Sequence, residues 1–453
     1  MKVKELIKVK ETDRDRFART TKATINEKTI LTPCFSPRVT KSPNYNELDL
    51  LIRLRTTQPT PYLGAHVIRL FDLKKLIDPR LSRKDQTTLD NSYIEETFLK
   101  FQKKNVFFVD PSLEYLFYTT RMRSFATTPN LPEPILEYVE NSLQKKEKVP
   151  PQEYKNWQRA YHSKFWHELD KDRRTRNRMI GELLDYQMER RVDIAIPSVP
   201  LATNESLFDL AIAINKISRE LVRANYESVD QCATYFLMPS WILTRKETIK
   251  EYIMTRLVEY IKRTPAKLTI LKFKYLDIGQ NRIIEREEIR KLLIEISRIR
   301  KAQPKRLFML LEGGIYASVL ATVGFDIVST SLTAYDGDGG FSLEKRGQWF
   351  DPKEMVPRSI KDVWTMYKNG GDNLPCYCSA CIGMSETMKQ LEDYKSINID
   401  EWNMYRREHY CLNMNEIMRQ TDQAIEDRQV ELLTDKLANS ELALLKDLIP
   451  RSF

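Results

Sequence analysis

The sequence lacks any long uninterrupted hydrophobic run. Its opening stretch, MKVKELIKVKETDRDRFART, has no apolar core, which excludes a secretory signal of the usual kind. The longest apolar stretch, Leu307 to Val328, carries Glu312, the pair Gly313-Gly314 and Asp326. A membrane helix places neither a carboxylate nor a double glycine at that depth. The phosphate-cradling patterns G-x-G-x-x-G and G-x-x-x-x-G-K-[ST] are also missing, which excludes the usual glycine loops of nucleotide-binding sites. Cysteine is scarce, with 6 in 453 residues. A chain of this length without a signal does not need a disulfide framework, so a reducing, cytoplasmic location is expected. Clustered cysteines in such a compartment point to a metal.

What remains is an ordinary globular composition on a basic background. Hydrophobic residues make up 42% and charged residues 30%, which indicates neither disorder nor a membrane protein. The net charge of +10 and a pI near 9.0 raise the expectation of a polyanionic partner, nucleic acid above all. The length suits a large barrel plus an appended piece.

Periodicity divides the chain. Residues 1–132 mix short apolar runs with turns; TILTPCFSPRV and KKNVFFVD are the clearest strands. Residues 133–191 are highly charged, helical in spacing and broken at Pro150-Pro151, and read as a solvated helical excursion. A sharper alternative makes them a phosphate-binding surface, with Arg173, Arg174, Arg176 and Arg178 beside Trp157 and Trp166. From residue 192 the rhythm becomes regular. VDIAIPSVP, TYFLMPSW, LTILKFKYLDIG and RLFMLLEGG read as strands, each followed by a helical segment. DIVSTSL closes the series as a further buried strand. Strand–helix units repeated at ~30–45 residues argue for a parallel sheet. With the strands of the first region the count approaches eight. The expected fold is an α/β TIM-type (β/α)8 barrel, built from residues 1–132 and 192–345 around the helical insertion. An open doubly wound sheet is the runner-up.

Residues 346–453 carry the clearest chemistry. PCYCSACIG presents Cys376, Cys378 and Cys381, and His409 follows after 27 intervening residues in a helical segment. Three thiolates and an imidazole satisfy the tetrahedral demand of one Zn2+ ion and leave no open position, the pattern of a structural site. Cys411 competes with His409 for the fourth place, and Cys34 and Cys232 read as small core residues.

A C-x-C-x-x-C followed by a helical histidine, after a barrel and before a closing helix, resembles the tRNA-guanine transglycosylases. Weaker echoes occur in the expected order along the chain: Thr32-Pro33 with Phe35-x-Pro37, Phe107-Phe108-Val109-Asp110, Asp193-Ile194-Ala195-Ile196, and Gly324-Phe325-Asp326. The resemblance implies a TIM barrel with a zinc subdomain. It also implies exchange of a guanine base in tRNA, or in DNA in one branch, for a 7-deazaguanine base through a covalent glycosyl–aspartate intermediate. It makes Asp110 the acid/base carboxylate. The family's guanine-reading aspartate falls at Ser198 or Val199, and the substrate positions it implies are Ser198, Gly279, Gln280, Gly313 and Gly314.

The sequence departs from the family in several places. Pro111-Ser112-Leu113-Glu114-Tyr115 stands where the family has Ser-Gly-Gly-Phe-Gln, and Ser329 stands at the nucleophile. Asp326 and Asp336 are therefore the candidate nucleophiles. Asp110 and Asp326 are expected at one C-terminal mouth. A non-catalytic partner subunit of the same fold is the alternative, and homo- or hetero-dimers stay open.

Overall fold

The computed structural model describes all residues except 1–5, 16–17, 40, 43–44, 47–49, 51–52, 55–59, 71–98, 114–115, 117–130, 227–230, 240–247, 275–286, 312–316, 323, 332–348, 354–355, 370–375 and 431–453. An antiparallel meander comes first: β1 (Ile7–Asp15), β2 (Ala18–Ile25) and β3 (Lys28–Thr32). TILTPCFSPRV, expected as one strand, is two. Pro33 has no N–H to donate, and past it the chain leaves the meander for β4 (Cys34–Val39) in a different sheet. A two-residue ribbon, β5 (Lys41–Ser42) with β6 (Tyr45–Asn46), follows.

The main sheet has eight strands. After β4 come β7 (Ala65–Arg69), β8 (Val106–Asp110), β9 (Ile194–Ala195), β10 (Thr234–Pro239), β11 (Leu268–Lys274), β12 (Leu307–Leu311) and β13 (Ile327–Ser331). The order across the sheet is β10-β11-β12-β13-β4-β7-β8-β9, and every pairing is parallel. Chain order thus runs round the sheet, with the last strand pairing the first. A parallel bridge joins Ala195 to Cys232, and Ala233 N–H donates to the Ala195 carbonyl at 3.0 Å, so the sheet curls until its edge strands approach. Every residue of β8, β10 and β12 is buried. That is why these strands read as continuous apolar runs: helices cover one face and the interior fills the other.

Helices alternate with the later strands as the periodicity predicts. Before β9 stand α1 (Glu133–Lys148), α2 (Pro151–Lys171) and α3 (Arg173–Glu189). Between later strands lie α4 (Glu205–Tyr226), α5 (Thr248–Arg263), α6 (Glu287–Ala302) and α7 (Ala317–Thr322). The three-helix excursion is not simply solvated. Ile135, Tyr138, Val139, Trp166, Ile180 and Leu184 belong to the main hydrophobic core, and Trp166 is fully buried. Its charged residues occupy mainly the outer faces, Arg176 being buried. Beyond the sheet come β14 (Trp349–Asp351) with β15 (Val356–Arg358), then α8 (Ile360–Asn369), α9 (Ser379–Lys389) and α10 (Ile399–Glu426). Among the described residues no helix is long and apolar enough to cross a membrane.

The meander docks on the N-terminal ends of the parallel strands through two buried carboxylates. Asp193, just ahead of β9, accepts from Lys28 Nζ at 2.8 Å, Asn26 Nδ2 at 3.0 Å and the Phe107 N–H at 2.8 Å. Asp326, just ahead of β13, accepts from Arg19 Nε at 3.0 Å and Nη2 at 3.1 Å, and from the Phe308 N–H at 2.8 Å. Arg19 spends its other donors on the carbonyls of Pro304 and Arg306. Each carboxylate therefore meets a cation and an N–H, which offset much of the cost of burying its charge. At Asp193 burial still outweighs Lys28 and the Phe107 N–H and raises the carboxyl above its ordinary value.

His162 supplies a pH test of the excursion. Burial pushes its imidazole down to about 4 from the ordinary 6.5. Between those values the unfolded chain binds a proton that the folded chain refuses, so stability falls as pH drops through that window. The loss is on the order of 3 kcal/mol. Urea titrations of His162→Gln should show a flatter dependence of stability on pH across this range.

Candidate metal centre and the rim of the parallel sheet

The metal centre is built where α9 begins and α10 passes behind it. Cys378 is the N-cap of α9, Cys381 lies in its first turn, and Cys376 precedes it. The N-terminus of a helix carries partial positive charge, which favours thiolates over thiols. Gly383 lets α9 approach α10, because a Cβ there would stand 2.6 Å from the Tyr405 ring. From α10, His409 turns Nδ1 toward the sulfurs: 3.5 Å to Cys376, 3.3 Å to Cys378 and 3.3 Å to Cys381. Cys376 and Cys381 sulfurs are 3.4 Å apart, and all four candidate ligand atoms lie within 4.8 Å of one another. Metal–sulfur bonds of ~2.3 Å in a tetrahedron would put sulfurs ~3.8 Å apart. The cluster is close to that size and can hold a metal ion.

The surroundings orient the imidazole. His409 Nε2 donates to the Phe350 carbonyl at 2.5 Å, which leaves the Nδ1 lone pair facing the sulfurs. Trp349 packs against the ring at 4.6 Å, and Asn413, one turn on, donates to the His409 carbonyl at 2.8 Å and reaches Cys376 Sγ at 3.5 Å. Hydrogen bonds from Cys378 and Cys381 hold the Cys376 thiol well below the ordinary cysteine range. Cys411 is not part of the cluster. Two residues on a helix are roughly 200° apart, so it faces away from the sulfurs and is buried in the main core. Cys34 and Cys232 are fully buried core residues, and desolvation pushes both thiols up, Cys232 to about 12. A second, smaller core surrounds the centre: Trp349, Ile360, Val363, Met384, Met388 and Trp402 pack with Cys381.

The other chemistry lies at the C-terminal ends of the strands. Asp110 ends β8 fully buried, and its Oδ2 accepts from Lys272 Nζ of β11 at 2.6 Å. In the order across the sheet β8 and β11 are separated by β12, β13, β4 and β7. Side chains that touch across four intervening strands must both lie on the concave side of the curl. The Ser112 N–H donates to Asp110 Oδ1 at 2.9 Å. Burial alone would raise this carboxyl, but Lys272 first, then Arg38 of β4 and the Ser112 N–H, bring it below the ordinary value. Ser329 of β13 lies in register with Leu311 of β12 and Ser36 of β4, and Leu311 in turn with Lys272. Ser198, past β9, is buried, and among the described residues its hydroxyl has no hydrogen-bond partner.

One expectation from sequence fails here. Asp326 does not share the mouth with Asp110: it sits level with Phe308 at the N-terminal end of the sheet, bound to Arg19. The two carboxylates lie at opposite ends of parallel strands and cannot act on one substrate atom. Of the residues named for a phosphate surface, Trp166 is internal, buried Arg176 is paired with Asp170, and Arg178 lies 3.5 Å from Glu133 and 3.8 Å from Glu182, whereas Arg173 and Arg174 are exposed. Asp336, Gly279, Gln280, Gly313 and Gly314 lie outside the described residues. Lys272 and Arg38 were missed. The available signal was a cation at alternate, otherwise apolar strand positions, in LTILKFK and CFSPRV.

Compared with known proteins, the chain matches no family model, and no curated protein matches it at a significant level.

Two outcomes follow. Metal analysis of the purified chain should give about one equivalent per chain, and Cys378→Ser should release it and disorder the α8–α10 region. In small peptide systems such sites supply ~10 kcal/mol or more. A His409→Ala protein that keeps full occupancy would remove His409 from the ligand set. Separately, Asp326→Asn should cost ~3–5 kcal/mol in urea unfolding, since it leaves Arg19 buried against a neutral partner. A loss below about 1 kcal/mol would contradict the docking role.

Proposed function

We propose that the curled sheet is a TIM-type (β/α)8 barrel, closed where Ala195 meets Cys232, and that the Cys3His cluster holds one structural Zn2+ ion. In this reading the chain acts on nucleic acid as a divergent guanine transglycosylase. It exchanges guanine in tRNA, or in DNA, for a 7-deazaguanine. The observation that carries the reading is Asp110, a buried carboxylate at the C-terminal end of a parallel strand, held ionised on the concave side by Lys272. That is the end of such a sheet where catalysis is built.

The zinc, with four protein ligands, takes no part in the chemistry. An aspartate attacks C1′ of the sugar as the bond to the guanine nitrogen breaks; guanine keeps the electron pair and takes a proton from water as it leaves. The incoming deazaguanine then attacks C1′, the sugar–aspartate bond breaks, and the proton released from the base nitrogen goes to a carboxylate. Asp110, ionised at rest, suits that last role. With Asp326 removed, Asp336 is the remaining candidate nucleophile.

A second reading has its own observation. Ser329 stands at the position that the family resemblance gives to the nucleophile, and Asp326 is committed to Arg19. This combination favours a non-catalytic subunit that keeps the barrel and the metal centre and binds nucleic acid beside a catalytic partner.

Incubation with labelled guanine and either tRNA or duplex DNA separates the two. The enzyme reading expects incorporation into one of them, a loss of at least ~10²-fold in Asp110→Asn with the fold intact, and loss of a trapped covalent complex in Asp336→Asn. No incorporation by the wild-type chain alone, with nucleic acid still bound, selects the second reading. Exchange that survives Asp110→Asn unchanged rejects the role given to Asp110.

A further inference from the structure

An open groove lies away from both sites, between α1 and α2. It has a volume of about 430 Å³, within the ~300–1,000 Å³ range of small-molecule sites. One wall is aromatic. Trp157 and Tyr161, one turn apart on α2, stack with centroids 4.5 Å apart and planes 19° from parallel. Tyr161 stacks in turn on Tyr138 of α1 at 4.9 Å and 12°. The Asn141 amide donates to the Tyr161 hydroxyl at 3.1 Å, which fixes the ring at the groove wall.

The rim is cationic. Lys145 and Lys148 line it from the last turn of α1 and Lys164 from α2, and no carboxylate is among the lining residues. Lys164 has Glu168 at 3.6 Å, so Lys145 and Lys148 contribute most of the positive field. Lysines in the last turn of a helix have an ordinary explanation, compensation of the helix dipole. That explanation accounts for Lys145 and Lys148 but not for an aromatic column opening into the same groove. Nor does packing require a tryptophan half-exposed in a segment whose other tryptophan, Trp166, is wholly internal.

We infer that this groove binds a single-stranded stretch of nucleic acid, with an unpaired base against Trp157, the end of the aromatic column, and the flanking phosphates at Lys145 and Lys148. Stacking surfaces beside lysines are what single strands require: every base has a π-face, and every linkage carries one negative charge. Charge complementarity selects a polyanion, and the stacked rings select a polyanion that carries planar groups. An acidic peptide would satisfy the lysines and leave the aromatic wall unused. The inference extends the proposed base exchange by a second site of attachment. It does not depend on catalysis, because it is read by binding alone.

The test uses the full-length protein and fluorescent oligo-dT and oligo-U of about ten nucleotides, with anisotropy measured across a salt series. Trp157→Ala should weaken binding about tenfold or more. Lys145→Glu with Lys148→Glu, on the surface and without consequence for packing, should reduce the log–log salt slope by about 1.4, or about 0.7 for each phosphate no longer neutralised. Circular dichroism confirms that the helices persist in both variants. No binding by the wild-type chain, unchanged affinity and slope in the double variant, or tighter binding of poly-glutamate than of either oligonucleotide would each overturn the inference. None of these measurements involves base exchange, so the failure of one reading is distinguishable from the failure of the other.

Discussion

One imidazole determines how the C-terminal segment meets the sheet. His409 presents Nδ1 to three sulfurs and holds the Phe350 carbonyl through Nε2, so a single ring joins α9, α10 and the β14–β15 ribbon. The very next residues, Tyr410 and Cys411, belong to the main core, as do Met414 and Met418 further along. Trp402, two turns earlier, belongs to the smaller core around the cluster. The helix is 28 residues long and spans about 42 Å. It therefore transmits the position of the Cys3His cluster to the sheet as a rigid strut. The smaller core has few members and contains a ligand cysteine, so its packing and its coordination are expected to form together.

The two ends of the parallel strands use charge in opposite ways. At the N-terminal end Asp193 and Asp326 are each matched by a cation from the meander and by a backbone N–H, an arrangement that fixes position. At the C-terminal end Asp110 faces Lys272, with Arg38 adding to the field. Two cations near one carboxylate make this end receptive to a further negative group. That asymmetry fits an end reserved for a ligand, whereas the other end is closed by the chain itself.

Much of this was legible in the sequence because single-residue chemistry decided it. Strand–helix alternation from residue 192 predicted β10 to β13 and α4 to α7, since short continuous apolar runs alternate with segments of 3.6-residue spacing. The metal cluster was legible because four ligands in a short pattern leave few alternatives. The meander was missed: β1, IKVKETDRD, is charged along its length, and its pairing depends on partners that its own composition does not reveal. Asp326 was misplaced for a related reason. A carboxylate beside a barrel strand has the same local sequence at either end, and only Arg19, 307 residues away, distinguishes anchoring from catalysis. The charged excursion looked solvated because its outer faces dominate the count, while Tyr138, Trp166 and Ile180 hold it to the core.

The meander also constrains the order in which the molecule can be completed. It is synthesised ahead of the strands it docks on, and its cations close on Asp193 and Asp326, which leave the ribosome far later. Until then Arg19 and Lys28 have no native acceptor, and β4 lacks its neighbour β13. Pairings of such long sequence separation are slow to form and leave strand edges open in the interval. A nascent chain of this protein is therefore expected to expose the edge of β4 until β13 has emerged, a natural client for a chaperone that shields strand edges.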